Sequence, residues 1–167
     1  MASYDYGKEE ILNWIRRTFQ KGDTCLDVGA CDGKWAHLLD GYLRIDACEI
    51  FEPNIIQHNL AALYRQVYHA DIVDLMYGRY DLIIFGDVIE HMSVERAQQA
   101  IAYALPRCRD LIVGVPYLYA QGELYGNKWE RHIQADLTPE RFAERYPDLK
   151  LLYDTGRQYA YYHATLG

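Results

Sequence analysis

The chain has 167 residues, half of them hydrophobic, which suits one compact domain spanning residues 1–167 with a substantial core. Acidic residues outnumber basic ones by 24 to 17, a net charge of −7, which argues against a protein that draws its affinity from nucleic-acid phosphates. No apolar run approaches the ~20 residues that span a bilayer, and Met1 to Gly7 lacks the charged and apolar regions of a signal peptide. Cys25, Cys31, Cys48 and Cys108 form no C-x-x-C pair, so a reduced, cytoplasmic protein without disulfides or a zinc site is expected.

In chain order, Ile11, Leu12, Trp14, Ile15 and Phe19 recur at helical spacing and predict a helix from Glu9 to Phe19, ended by Lys21-Gly22-Asp23. Thr24–Val28 reads as a short buried strand, followed by a glycine-rich turn and a helix over Lys34–Leu39. A second strand is expected over Leu43–Cys48, and Pro53 sits in the first turn of a helix running toward Tyr64. Gln66–His69 and Tyr80–Phe85 read as the third and fourth strands. Ser93 caps the next helix, which carries Glu95 in its first turn and extends toward Leu105. Leu111–Val115 is a fifth strand, and Thr138-Pro139 starts another short helix. Leu149–Tyr153 and Tyr159–Thr165 form a closing hairpin around Gly156, with Tyr159 and Tyr161 on one face and Tyr162 on the other. The alternation predicts an α/β, Rossmann-like, doubly wound sheet of seven mostly parallel strands with a closing antiparallel strand. Pro116–Leu137 has no clear period, and loops of that length in compact domains usually carry function.

The chemistry concentrates at strand ends. In Leu26-Asp27-Val28-Gly29-Ala30-Cys31-Asp32-Gly33-Lys34-Trp35 a buried strand runs into an acid, glycines and a helix, and glycine lets a ligand approach the main chain there. Open α/β sheets bind ligands at that edge. Glu49 ends the second strand, where an acid can accept both hydrogen bonds of a ribose diol, and Asp71 follows the third. Each acid alone fits a solvated strand end; three of them flanking one glycine turn form a specific pattern.

That pattern resembles the class I S-adenosylmethionine-dependent methyltransferases, in particular their compact small-molecule branch, over almost the whole chain. The family motif acid-x-G-x-G-x-G stands here as Asp27-Val28-Gly29-Ala30-Cys31-Asp32-Gly33, with Cys31 in place of the middle glycine. The resemblance implies that Asp27 and Gly29 lie near the methionine part of S-adenosylmethionine and that Gly33 also belongs to the cofactor site. It further implies that Glu49 binds the ribose, Ile50 and Ile72 flank adenine, and Asp71 faces the adenine amino group. Asp87, in Phe85-Gly86-Asp87-Val88-Ile89-Glu90-His91, would border the reacting centre. A dehydrogenase fits less well, because Asp32 inside the turn would repel a pyrophosphate yet tolerate a sulfonium.

The expected activity is methyl transfer to a small-molecule or glycan-type acceptor, with oxygen favoured. A catalytically silent cofactor-binding scaffold is the alternative. His132 is the first candidate for a base and His91 the second, since histidine exchanges protons near neutrality. Tyr117, Tyr119, Tyr125 and Trp129 are expected to line the acceptor pocket as part of a lid, while Tyr4 and Tyr6 could close over the cofactor. Glu90 and His91 could touch a divalent ion, but two ligands do not make a metal site, and none is expected.

Overall fold

The computed structural model describes residues 5–76 and 78–166. Seven strands, β1 (Thr24–Val28), β2 (Arg44–Glu49), β3 (Val67–His69), β4 (Tyr80–Gly86), β5 (Cys108–Pro116), β6 (Lys150–Asp154) and β7 (Tyr159–Thr165), form one sheet in the order β3-β2-β1-β4-β5-β7-β6. The first five pair in parallel, and β7 runs antiparallel to both of its neighbours. This is the predicted doubly wound sheet. No helix among the described residues is long and apolar enough to cross a membrane.

Two apolar layers follow from the two-residue period of the strands. On one face, Cys25, Leu82, Ile84, Ile112, Tyr159 and Tyr161 pack against α1 (Lys8–Thr18), α2 (Lys34–Leu39) and α4 (Leu60–Leu63). On the other, Leu26, Ile83, Phe85, Leu111, Val113 and Tyr162 pack against α5 (Val94–Ala104) and α6 (Pro139–Arg145). Tyr162 stacks on Phe142 with ring centroids 3.6 Å apart. The tyrosines of β7 therefore divide between the faces as their alternation predicts. Ser93 and Thr138 cap α5 and α6 by accepting from the amides of Arg96 and Arg141.

Two boundaries differ in an instructive way. The helix expected from Pro53 to Tyr64 is broken into α3 (Glu52–Gln57) and α4, because Asn59 turns left-handed at φ 48°. The strand expected over Leu111–Val115 extends to Cys108–Pro116.

The strand order reverses between β1 and β4, which opens a crevice at their carboxyl ends. Gly29, at φ 72°, forms the turn after β1, and its amide donates to the Cys48 carbonyl at 2.8 Å. A Cβ there would lie 2.6 Å from a methyl of Val88, so glycine is needed for close approach as well as for the angle.

Candidate active site

A cavity of about 490 Å³ occupies that crevice, within the range of small-molecule sites. Its walls come from the turn after β1, the ends of β2 to β4, and the loop that follows β5. Carboxylates dominate the charge. Asp32, Glu49, Asp71, Asp87 and Glu130 line it against two cations, Lys34 and Arg96. Those cations are engaged by Asp5 at 2.9 Å and Asp71 at 2.7 Å.

Glu49 is buried and does more than end β2. One carboxylate oxygen accepts from the amide of Cys31 and the other from the amide of Phe51, both at 2.8 Å. Each oxygen has a second acceptor direction left. Cys31, in the place of a glycine, adopts φ 47°, so the left-handed turn is kept despite its side chain. Asp71 is partly committed: Arg96 donates to one oxygen and the amide of Val73 to the other at 3.2 Å. Arg96 is a cavity residue that the sequence pattern did not reveal. Gly29, Ile50 and Ile72 also line the cavity.

Two members of the glycine motif lie elsewhere. Asp27 shares the Cys25 face of β1, beneath the turn, and its carboxylate accepts from the Tyr64 hydroxyl at 2.5 Å. Burial pushes its pKa up to about 7, against that hydrogen bond. Gly33, at φ 80°, serves helix packing, since a Cβ would meet the Leu63 side chain at 2.5 Å. Neither is among the residues that line the cavity.

Asp87 follows β4 in a left-handed conformation at φ 56°, an uncommon state for a residue with a side chain and one that clusters at functional sites. Burial, and after it the negative charge of Asp87, push the hydroxyl pKa of Tyr159 well above its ordinary value. Asp87 also attracts the buried Lys8 amine, whose pKa desolvation nevertheless lowers.

The loop over the opposite wall is pinned rather than loose. The carbonyl of Glu90 accepts from the amides of Ile133 and Gln134 at 2.8 and 2.9 Å. The buried side chain of Gln134 donates to the Ile89 carbonyl at 2.8 Å. His132 and His91 are thereby brought together, with ring centroids 4.7 Å apart. Nδ1 of His132 donates to the Tyr119 carbonyl at 2.8 Å and Nδ1 of His91 to the Arg131 carbonyl at 3.2 Å. A carbonyl can only accept, so the lone pair of each ring lies on Nε2. Burial lowers both pKa values, that of His91 to about 4, so both rings are neutral at pH 7.

The four residues expected in the aromatic wall divide between the cavity and other places. Tyr119 and Trp129 line the cavity. Tyr117 is buried in the core with its hydroxyl bonded to that of Tyr162, and Tyr125 is 97% exposed. Both placements trace to the backbone. Leu118 turns left-handed between Tyr117 and Tyr119, so the two tyrosines cannot share a face, and Tyr125 sits at a turn with φ 51°. Tyr6 is also outside the cavity, its carbonyl held by the Tyr161 hydroxyl at 3.0 Å, and Tyr4 lies outside the described residues. The four cysteines are free, and burial pushes the thiols of Cys31, Cys48 and Cys108 up to about 12, far from a reactive thiolate.

No family model matches the chain, and no curated protein matches it. Solved structures do match. An S-adenosylmethionine-dependent methyltransferase from Clostridium acetobutylicum superposes with a TM-score of 0.72 at 13% identity, over 98% of this chain and 93% of that one. The 1,6-didemethyltoxoflavin-N1-methyltransferase of Burkholderia thailandensis, with bound 1,6-didemethyltoxoflavin and S-adenosylhomocysteine, gives 0.69 at 19% identity, over 93% of this chain and 75% of that one. Magnesium protoporphyrin IX methyltransferase from Synechocystis, with bound S-adenosylmethionine, gives 0.67 at 16% identity, over 95% and 77%. The likeness establishes a shared methyltransferase fold.

Proposed function

We propose that the chain is an S-adenosylmethionine-dependent methyltransferase acting on a small-molecule or glycan-type acceptor, with oxygen as the favoured target. The observation that carries this reading is the acid-lined cavity at the reversal of strand order, with Glu49 at its nucleoside side. Such a cavity attracts a cationic sulfonium and repels a pyrophosphate. The solved structures of the same fold with S-adenosylmethionine or S-adenosylhomocysteine bound support the cofactor.

The residues fit that group. The free acceptor directions of Glu49 suit the two ribose hydroxyls, and Ile50 and Ile72 offer apolar surfaces to adenine. The oxygen of Asp71 that faces Val73 remains able to accept from the adenine amino group. Gly29 admits the methionine chain against bare backbone, and Asp87 borders the reacting end. When bound, the cofactor supplies a methyl group already activated by its sulfonium. The protein then has to align the acceptor and exclude water. Tyr119 and Trp129 flank the acceptor, and the neutral imidazoles of His132 and His91 present Nε2 lone pairs able to take a hydroxyl proton.

The pinned Pro116–Leu137 loop favours an enzyme over a silent cofactor-binding scaffold, since it walls the acceptor side of the cavity. The net charge of −7 favours a small acceptor over nucleic acid. The test is release of S-adenosylhomocysteine from S-adenosylmethionine across a panel of hydroxylated sugars, phenols and hydroxy acids. Turnover with one class supports the reading. Binding of the cofactor without turnover on any class would favour the scaffold.

A further inference from the structure

Glu90 has no place in the cofactor contacts above, and its surroundings are unusual. The side chain is fully buried, and neither carboxylate oxygen has a hydrogen-bond partner. Native proteins rarely leave such a group unsatisfied, and each instance asks for an explanation such as an ion. Asp87 and Glu130 add their negative field to it. Among the described residues, the donor atoms of Glu90, His91 and His132 all lie within 4.8 Å of one another.

We propose that Glu90, His91 and His132 form a binding site for a divalent transition-metal ion on the acceptor side of the cavity. The donor set is two imidazoles and one carboxylate, which suits borderline ions such as zinc, iron(II) or cobalt(II) better than magnesium, calcium or manganese. The tautomers are already those of ligands. In each ring Nδ1 donates to a main-chain carbonyl, which leaves Nε2 to coordinate, and ligating histidines are commonly oriented by such a hydrogen bond from the other ring nitrogen. The scaffold is stitched at the same place. The main chain of Glu90 holds the amides of Ile133 and Gln134, immediately after His132. A tetrahedral ion with bonds of about 2.0–2.1 Å needs donors roughly 3.3 Å apart, so binding draws the three side chains inward by small rotamer adjustments. A cation there also turns the mutual repulsion of Glu90, Asp87 and Glu130 into attraction.

Three protein ligands leave coordination positions open, and His91 and His132 both border the cavity. The ion would occupy the Nε2 lone pairs and so take over the part of the imidazole bases: it would hold the acceptor through oxygen, and a coordinated hydroxyl would lose its proton to solvent more readily than a free one. The preferred acceptor is then a molecule with adjacent oxygen donors, such as a vicinal diol or a 2-hydroxy acid. Metal binding stands apart from the methyltransferase reading; the acceptor class rests on it.

The test uses the full chain, stripped with chelator and titrated with cobalt(II), followed by calorimetry and by the visible absorption of the bound ion. One ion per chain is expected, with the spectrum of mixed nitrogen and oxygen ligation. Glu90→Gln is close to isosteric, and His132→Gln keeps a polar side chain on the loop. Since loss of an outer-shell partner alone costs 10–100-fold, removal of a direct ligand should weaken cobalt binding by more than about 100-fold. S-adenosylhomocysteine affinity, measured on the same samples, should stay within about twofold and reports that the variants are folded. Cobalt binding that is absent, or unchanged in both variants while S-adenosylhomocysteine still binds, overturns the metal site alone. Failure of S-adenosylhomocysteine to bind the stripped and the loaded protein alike overturns the cofactor reading and leaves the metal result standing by itself.

Discussion

Glu49→Gln separates two duties that one carboxylate performs. In the native site each oxygen accepts one backbone amide at 2.8 Å, from Cys31 and from Phe51, and keeps one acceptor direction for the cavity. Glutamine retains one oxygen. Its amide group must then face either the Cys31 or the Phe51 N–H, a donor against a donor. Hydrogen bonds to a charged acceptor contribute about 1.5–3 kcal/mol, so losing the charged ribose contact should weaken S-adenosylhomocysteine binding roughly 10- to 150-fold. The orphaned backbone amide should lower folding stability by about 1–3 kcal/mol. Calorimetry gives the first quantity and urea unfolding of the ligand-free protein the second. If stability falls while affinity is unchanged, Glu49 is only a brace for the turn, and the ribose assignment fails.

Asp27 predicts a pH dependence of stability. Its folded pKa is raised to about 7 by burial, above the ordinary carboxylate value, so the folded state holds a proton that the unfolded state has lost. Its contribution is full below pH ~4, declines by up to about 1.4 kcal/mol per unit as pH rises toward 7, and is flat above. Asp27→Asn should remove that slope in urea titrations, and an unchanged slope would reassign it. Trp129→Ala should raise the acceptor KM with little effect on S-adenosylhomocysteine affinity. Tyr125→Ala, at an exposed turn, should leave both kinetics and stability within about 0.5 kcal/mol of wild type.

The sheet was legible in the sequence because its strands are short apolar runs between turn residues, and β1 and β4 are buried over most of their length. The cavity edge was legible because strand-end acids and glycines declare it. What escaped was direction. Asp27 reads like a ligand-facing acid, yet the two-residue period of β1 points it into the α1, α2 and α4 layer, where Tyr64 waits after a helix break at Asn59. Tyr117 and Tyr119 look alike until Leu118 turns between them. Arg96 carries no local signal, since only the tertiary fold brings the start of α5 to Asp71 in the segment after β3. In the sequence Glu90-His91 reads as an isolated pair; the fold brings His132 beside it on a loop whose path the local pattern does not encode.

The central claim is tested most directly by calorimetric titration of the purified chain with S-adenosylhomocysteine and, separately, with NAD. The account predicts saturable one-to-one binding of S-adenosylhomocysteine, matched by about 2.7 kcal/mol of added stability at ~100 times the dissociation constant, and no binding of NAD. Saturable binding of NAD with none of S-adenosylhomocysteine would contradict it.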